Sequence, residues 1–429
     1  MATMQRKLLT ILSFALLVLS AGAQPYCSVK NFNLRDGLAS NVVTSLVQTP
    51  DQLLWFSTWN GLMCYDGYRF TTLSDTPAGS LQGNRVLSTR RLLNIESSLT
   101  GNIWCVTYDL NAYVFDRRLG EFVDITERIN RKFGITFHTN RAITLSNGHT
   151  WLLNSEKGGA VVCIDDRCYL SDDALRLYRP DDAAFGAHEI TWVYADGAGR
   201  ESLVTDKGVA RVDGSFRSDR PYRYLVEMDG LFVMSTVQGE MCVVDSATWH
   251  QTPLSVPSTV TQVGALVSGG DRWVIAATNA GFYIYDTRQR SGKLVGVMAS
   301  LGVLNQTKSM YVDSANRLWV GTDVGDILRV GLADGTVEQL SMGGLTPLLK
   351  QSSYTFFHED QYHTLWAATS MGFLVTTMKV CASSKVVRCG RMPPNHWLSV
   401  GSSTVRATSG IRGSTIWQWP VLDAATSHI

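Results

Sequence analysis

The chain has 429 residues, a formal net charge of +1 and only 17% charged residues, with plentiful glycine and aromatic residues. A net charge this close to zero argues against nucleic acid as a partner. The composition fits an exported globular protein with an all-β repeat fold, and the length exceeds that of one ordinary domain.

Residues 1–23 have the pattern of a signal peptide. Arg6 and Lys7 provide the positive start, residues 8–19 form an apolar core, and Ala21-Gly22-Ala23 is an A-x-A site that predicts cleavage before Gln24. A retained membrane anchor is the alternative, but the apolar run is too short for it. The sequence therefore predicts a periplasmic or secreted protein with no membrane span after cleavage.

Residues 41–73 contain four short runs rich in β-branched and aromatic residues. Turn signals separate these runs at Pro50-Asp51, Asn60-Gly61 and Asp66-Gly67. Because Asn-Gly and Asp-Gly tolerate positive φ, they favour two-residue hairpins. The stretch is thus predicted to form one small antiparallel sheet of four strands, which needs neighbouring sheets to bury both of its faces.

The same pattern recurs along the chain, mostly at intervals of roughly forty to fifty residues. A large aromatic residue anchors most copies, and the copy around Leu203 has lost it; the predicted anchors are Trp55, Trp104, Trp151, Phe232, Trp273, Trp319 and Trp366. This period predicts an all-β fold, a seven-bladed β-propeller of four-stranded antiparallel blades within residues 24–345. A strand-like run at residues 26–34 is expected to complete the last blade, and no convincing helix appears.

The chain after the seventh copy of the pattern, which Trp319 anchors, is predicted to have a different organisation. Trp366 has no place in a seven-bladed ring, so residues 346–376 are interpreted as the start of an unfinished second propeller. Residues 377–429 contain no Glu, Phe or Tyr and show no repeat. They are either a natural tail or the product of a shifted reading frame, and the abrupt change favours the second; no fold is expected there.

The eight cysteines include no C-x-x-C pair. Cys163 and Cys168 are close enough in sequence to bridge across a turn, and an oxidising compartment would allow it. Buried free thiols in strands, as expected for Cys64, Cys105 and Cys242, are the favoured alternative.

The sequence predicts no catalytic residues, no metal site and no cofactor. It contains no G-x-S-x-G elbow and no glycine-rich phosphate loop. His358 and His363 are five residues apart, so they would not share a helix face as a zinc motif requires. The aspartate pairs at 165–166, 172–173 and 181–182 are expected to be solvated turn residues, with a calcium site as the alternative.

Propellers usually recognise partners at one mouth of the central channel, through loops between blades. Polar and aromatic residues in such loops are the predicted ligand-binding residues: Ser40, Asn41, Trp59, Asn60, Asn84 and Arg85. Sugars require amide and guanidinium hydrogen bonds combined with aromatic faces. The alternative, that Asn41 and Asn60 only satisfy turn backbone, is the favoured interpretation.

Three segments carry a resemblance to a known family: residues 36–43 (DGLASNVV), 54–62 (LWFSTWNGL) and 65–70 (YDGYRF). They resemble the two-component regulator propeller repeat, and the resemblance extends over roughly residues 26–375. It implies the exported sensor region of a hybrid two-component system of gut Bacteroidetes. In the intact family, two seven-bladed propellers precede a β-sandwich, a membrane helix, a histidine kinase, a receiver and an AraC-type DNA-binding domain.

The resemblance implies a periplasmic ligand-sensing propeller fragment that responds to glycans, with an oligosaccharide as ligand and a homodimer in the intact family. The kinase and DNA-binding parts are not recognised in this sequence, so no enzymatic activity is expected. Two alternatives remain open: a secreted propeller enzyme that acts on polysaccharide, and a non-catalytic scaffold for protein interactions.

Overall fold

A computed structural model describes residues 28–73, 86–218, 220–228, 230–245, 248–296, 307–322, 327–340, 354–360, 362–369 and 372–377. The predicted signal peptide (1–23) and the predicted tail after Thr377 lie outside these residues. The described part is almost entirely antiparallel β-structure, which confirms the predicted all-β propeller class.

The described strands form eight antiparallel sheets, here called blades 1 to 8. Blade 1 contains β2 (Val43–Gln48), β3 (Leu54–Thr58), β4 (Gly61–Tyr65) and β5 (Phe70–Thr72), and blade 2 contains β6 (Leu92–Ser97), β7 (Ile103–Thr107), β8 (Ala112–Asp116) and β9 (Glu121–Asp124). Blade 3 contains β10 (Thr139–Thr144), β11 (His149–Asn154), β12 (Val161–Asp165) and β13 (Leu175–Tyr178), and blade 4 contains β14 (Ile190–Ala195), β15 (Glu201–Thr205) and β16 (Gly208–Arg211).

Blade 5 contains β17 (Tyr224–Met228), β18 (Leu231–Ser235), β19 (Met241–Asp245) and β20 (Gln251–Pro253), and blade 6 contains β21 (Val263–Gly269), β22 (Trp273–Thr278), β23 (Gly281–Asp286) and β24 (Ser291–Val295). Blade 7 contains β25 (Thr307–Val312), β26 (Arg317–Thr322), β27 (Ile327–Gly331) and β28 (Val337–Leu340), and blade 8 contains β29 (Tyr354–Glu359), β30 (Leu365–Thr369), β31 (Gly372–Thr377) and β1 (Ser28–Phe32).

The ring closes one blade later than the sequence predicts. The N-terminal strand β1 pairs antiparallel with β31, from Ser28 opposite Thr377 to Phe32 opposite Phe373. Blade 7 already has its own outer strand, β28, so its edge is occupied. The ring described here therefore has eight blades rather than seven, and Trp366 belongs to it rather than to a second propeller.

Contacts between the first and the last blade support this correction. Phe32 stacks on Trp366 with ring centroids 6.1 Å apart, and Phe56 of blade 1 lies at the same distance from that indole. These three side chains share one buried cluster. A blade that began a separate propeller would not bury its anchor against blade 1.

The first strands of the blades make most of the contacts between neighbouring blades. We infer that the first strand of each blade is the innermost one. In blade 1 a bulge displaces Thr44 from the register. Its hydroxyl donates to the backbone oxygen of Leu92 in blade 2 at 2.9 Å. The same irregularity recurs in every described inner strand except β17, so the bulge is a repeated feature of the blades.

The common direction of the inner strands defines two faces of the ring. The upper face carries the turns between the second and third strands, such as Trp59-Asn60, and the connections between blades. The lower face carries the other two turns of each blade, such as residues 49–53 and 66–69.

The hydrophobic core lies in layers between adjacent blades. The seven predicted anchors are all buried: Trp55, Trp104, Trp151, Phe232, Trp273, Trp319 and Trp366. Burying an aromatic side chain of this size removes roughly 150–250 Å² from water, which contributes a gross ~4–6 kcal/mol per blade before chain entropy is subtracted.

One α-helix, which the sequence did not predict, follows blade 2. Helix α1 (Ile125–Phe133) begins at the N-cap Asp124, whose side chain accepts from the amide of Glu127, and ends at Gly134 in the left-handed conformation. Ile125 and Ile129 face the core between blades 2 and 3. Among the described residues, no helix is long and apolar enough to cross a membrane.

The described cysteines are free thiols: Cys64, Cys105, Cys163, Cys168 and Cys242. Cys163 is buried and Cys168 is exposed, and they form no disulfide with each other. Cys105 and Cys242 are buried in strands as predicted, whereas Cys64 lies in a strand but is only half-buried.

Candidate functional site

The predicted ligand-binding residues that the structure describes lie together on the upper face of blade 1. Ser40 and Asn41 precede the inner strand β2, and Trp59 and Asn60 form the turn between β3 and β4. Asn84 and Arg85 lie outside the described residues, so their position relative to this group is not part of the site described here.

Three of these side chains hydrogen-bond to nearby backbone groups. The Ser40 hydroxyl accepts from the amide of Val42 at 3.1 Å, and Asn41 Oδ1 accepts from the amide of Leu34 at 3.1 Å. Asn60 Nδ2 donates to the carbonyl of Ala39 at 3.3 Å. These hydrogen bonds agree with the interpretation that Asn41 and Asn60 satisfy backbone groups. Trp59 and Asn60 are the exposed residues of the group.

Trp59 forms the centre of an exposed aromatic and cationic group. Its side chain is 44% exposed, and the guanidinium of Arg91 lies 5.1 Å above the ring. Tyr108, 57% exposed, occupies the equivalent turn position in blade 2. We call Trp59, Arg91 and Tyr108 the upper-face patch.

The backbone holds this patch in place. The amide of Tyr108 donates to the carbonyl of Arg91 at 2.8 Å, which joins the turn of blade 2 to the connection that precedes it. The amide of Trp59 makes the corresponding bond to Val42 in blade 1 at 3.3 Å. Two neighbouring blades therefore present an aromatic side chain at the same height, with a guanidinium beside one of them.

The sequence identified Trp59 but missed Arg91 and Tyr108. The sequence does contain a signal for Tyr108, because Tyr108 follows Thr107 in blade 2 as Trp59 follows Thr58 in blade 1. A comparison of equivalent turn positions across the repeats would have found Tyr108. Arg91 could be found only if the packing of blades 1 and 2 were known as well.

Two cavities open on the same face of the ring. The smaller, of about 160 Å³, adjoins the patch and is lined by Asn60, Gly61, Leu62, Thr72, Leu73, Leu87 and Arg90. The larger, of about 430 Å³, lies in blade 5. An Arg220–Glu240 ion pair of 2.9 Å and a hydrogen bond of 3.1 Å from the Tyr222 hydroxyl to Gln251 Oε1 border it.

The inner strands of blades 2 to 4 bring opposite charges together. Burial raises the pKa of Glu96 on β6 to about 7, although the positive charge of Arg141 on β10 opposes this shift. The Arg141 guanidinium lies 5.0 Å above the ring of Trp192 on β14. Charged side chains of adjacent inner strands therefore influence one another in this part of the ring.

A serine, a histidine and a glutamate meet on the lower face, but not as a hydrolytic triad. The Ser314 hydroxyl lies 2.6 Å from Oε1 of Glu359 and 2.9 Å from Nδ1 of His363. That same Nδ1 lies 3.0 Å from Glu359. A triad histidine uses one ring nitrogen for the nucleophile and the other for the carboxylate, whereas here one nitrogen serves both.

The aspartate pairs differ from one another in their surroundings. Asp172 and Asp182 are exposed, and they pair with Arg128 and with the amide of Arg179. Asp166 is buried, which the sequence did not predict, and Oδ1 accepts from the Trp104 indole at 2.8 Å. Burial raises the pKa of Asp166 to about 6.

The family model described as two component regulator propeller matches residues 37–60, which include the loop and turn of blade 1 that carry Trp59. No curated protein matches the chain significantly.

Solved structures share the fold. The extracellular domains of two hybrid two-component systems of B. thetaiotaomicron superpose with TM-scores of 0.53 and 0.50 at 15% identity. The alignments cover 82% of this chain but only 42% and 40% of those domains. The Dos1 propeller has a TM-score of 0.54 at 12% identity, with 82% of this chain and 94% of that one covered.

Proposed function

Because this chain carries the two-component regulator propeller repeat, we propose that it is an exported ligand-sensing propeller of a hybrid two-component regulator. The fold it shares with extracellular domains of such systems supports this proposal. The chain spans about two fifths of the length of those domains, so signalling through a kinase is proposed only for a complete system.

We propose further that the upper-face patch binds an oligosaccharide. The observation that carries this proposal is the pairing of exposed aromatic rings with a guanidinium on two neighbouring blades. Sugar rings stack their apolar C–H faces on aromatic side chains, and their hydroxyls accept hydrogen bonds from guanidinium groups. Trp59 and Tyr108 would supply the stacking surfaces, and Arg91 would supply the donors.

The shape of the site favours recognition over catalysis. The cavity beside the patch, at about 160 Å³, is smaller than the roughly 300–1,000 Å³ of typical ligand pockets, so a sugar chain would lie across the face rather than enter it. The Ser314 cluster is on the opposite face and lacks the geometry of a relay. We therefore propose that the chain binds its ligand without transforming it.

The binding proposal is tested by calorimetry on the purified protein with a panel of neutral and uronic-acid-containing oligosaccharides. We expect at least one to bind, and Trp59→Ala or Arg91→Ala to weaken that binding roughly tenfold or more, as expected for the loss of ~1.4 kcal/mol or more. Tyr68→Ala, which removes an exposed tyrosine from the lower face, is the matched control and should bind normally. An equal loss of affinity in all three variants would refute the proposal that the upper-face patch is the binding site.

Export is tested separately. The full-length gene with an epitope tag is expressed in a Bacteroides host, the cells are fractionated, and the N-terminus of the mature protein is sequenced. We expect the protein outside the cytoplasm with Gln24 as its first residue. Retention in the cytoplasm with Met1 intact would contradict the proposed location.

A further inference from the structure

The boundary between blades 3 and 4 brings together three side chains that commonly ligate metals. His149 begins strand β11, Cys163 lies on the adjacent strand β12, and Glu201 begins strand β15 of the next blade. One donor atom from each residue lies within 4.8 Å of the other two. His149 Nδ1 is 2.9 Å from Glu201 Oε1.

We propose that His149, Cys163 and Glu201 form a binding site for a divalent transition metal of the Zn²⁺ class. An imidazole nitrogen, a thiolate and a carboxylate are the ligand types that zinc takes in proteins, and four-coordinate geometry is its usual choice. With bonds of roughly 2.0–2.3 Å, tetrahedral ligands lie roughly 3.3–3.8 Å apart, which requires only small rotations of these side chains. A water molecule would complete the coordination.

Neighbouring groups already orient the carboxylate. The indole of Trp151 donates to Glu201 Oε1 at 2.8 Å, and Asn147 Nδ2 donates to the same oxygen at 3.0 Å. Hydrogen bonds of this kind fix first-shell ligands in metal sites. Asn147 also accepts from the amide of His149 at 3.1 Å, so one residue positions two of the three ligands.

Charge and access both suit a cation. Glu201 and Asp165, which lies opposite His149, provide negative charge, and the Cys163 thiol adds a third once it loses its proton to the metal. Two arginines oppose them: Arg176 opposite Cys163, and Arg167, which pairs with Asp165 at 3.7 Å. Cys163 is buried, whereas the side chains of His149 and Glu201 are 23% and 11% exposed. A metal would therefore enter from the lower face and displace two protons, the one between His149 Nδ1 and Glu201 and the one on the Cys163 thiol, so that it binds the buried sulfur as a thiolate.

Blade 1 provides a natural comparison. Cys64 lies opposite the anchor Trp55, as Cys163 lies opposite Trp151. Two residues before the anchor, however, blade 1 has Leu53 where blade 3 has His149. Cys64 therefore has the same strand position without the imidazole, and Cys64→Ser is a matched control for Cys163→Ser.

The test is titration of the metal-free, reduced full chain with Co²⁺, whose bond to a thiolate gives a strong charge-transfer absorption. We expect saturation at one equivalent, and displacement of the Co²⁺ by Zn²⁺. Cys163→Ser should abolish the thiolate band. Asn147→Ala, which only removes support for the ligands, should weaken binding by roughly tenfold or more.

The control variants Cys64→Ser and Cys168→Ser should bind Co²⁺ as the wild type does. Cys168 matters because its thiol is exposed and close in sequence. If Cys163→Ser does not fold by circular dichroism, His149→Gln decides the matter, since it should lose both the cobalt spectrum and the Zn²⁺-dependent rise in Tm. A wild type without a thiolate band, or a band that depends on Cys168 instead, overturns the proposal.

Discussion

The indole Nε1 of Trp319 donates a hydrogen bond of 2.8 Å to Oδ2 of Asp313, six residues earlier in the same blade. Trp366 makes the same bond to Asp360 at 2.9 Å, and Trp55 makes a longer one to Thr49 at 3.3 Å. This acceptor satisfies the single polar atom of an anchor that is otherwise packed in the core.

Removing the acceptor should therefore destabilise blade 7. Asp313 is buried, and the same Oδ2 also accepts from Nε of Arg317 at 2.6 Å. Asp313→Ala leaves a buried indole N–H and a guanidinium without this carboxylate, and we expect a loss of ~3 kcal/mol in the free energy of unfolding. Chemical denaturation measures this loss. Asp334→Ala, at an exposed turn in the same blade, is the control, and an equal effect of both changes would contradict the role of the buried bond.

Two tryptophans four residues apart should differ strongly in their contribution to stability. Trp55 is 3% exposed in the core between blades 1 and 2, whereas Trp59 is 44% exposed on the upper face. Trp55→Ala leaves a large cavity, and we expect a cost of ~3–5 kcal/mol. Trp59→Ala should cost ~1 kcal/mol or less, mainly through loss of the Arg91 stack. Thermal and chemical unfolding compare the two, and similar losses would contradict the blade assignment.

Glycine is required where the turn of blade 6 meets the next connection. Gly281 has a φ of 131°, and a Cβ at this position would lie 2.3 Å from the carbonyl oxygen of Val295. Gly67 has a similar φ of 95° but open space around it. Both alanine variants should therefore lose ~1–2 kcal/mol through backbone strain. Gly281→Ala should lose a further ~1–3 kcal/mol through the clash, and equal unfolding midpoints in denaturant would disprove this.

Glu96 should make stability depend on pH in an unusual direction. Burial raises its pKa from 4.5 to about 7, so the folded state holds this proton more tightly than the unfolded state does. Its contribution to the free energy of unfolding therefore falls as pH rises from about 4.5 to about 7 and is level above that. Glu96→Gln lacks this titration, so its stability relative to wild type should rise by up to ~3 kcal/mol over that window.

Denaturation at a series of pH values measures this difference, and using a difference cancels the other titrating groups. Glu156→Gln, at an exposed position on the upper face, should run parallel to wild type. Parallel behaviour of Glu96→Gln as well would show that folding does not raise the pKa of Glu96.

The repeat could be predicted from the sequence because each blade is built from local signals. Trp55 and its equivalents mark the second strand, and a glycine at the upper turn, such as Gly61, Gly208 or Gly281, marks the third strand in several blades. Even in blade 1 the turn lies one residue earlier than predicted: the sequence predicts a turn at Asn60-Gly61, whereas Trp59 and Asn60 form the loop and Gly61 begins β4. Helix α1 was missed because only two of its nonpolar residues, Ile125 and Ile129, contact the core deeply.

The number of blades could not be predicted because it depends on one long-range pairing. The edge of β31 accepts β1, while the edge of the seventh blade is filled by β28, and nothing near Ser28 in the sequence distinguishes the two. The candidate site likewise contains one part that the local sequence predicts and one part that depends on long-range packing. Trp59 is visible as a turn residue, whereas its contact with Arg91 exists only once blades 1 and 2 pack together.

The pairing of Ser28 with Thr377 places the entry and the exit of the described chain side by side on the lower face, away from the candidate sugar site. Tension applied to these two ends would peel β1 from β31 one hydrogen bond at a time, instead of shearing all of them together. Force on these two ends would thus act first on the seam within blade 8 and would detach β1 from β31 before it loads any other pair of strands.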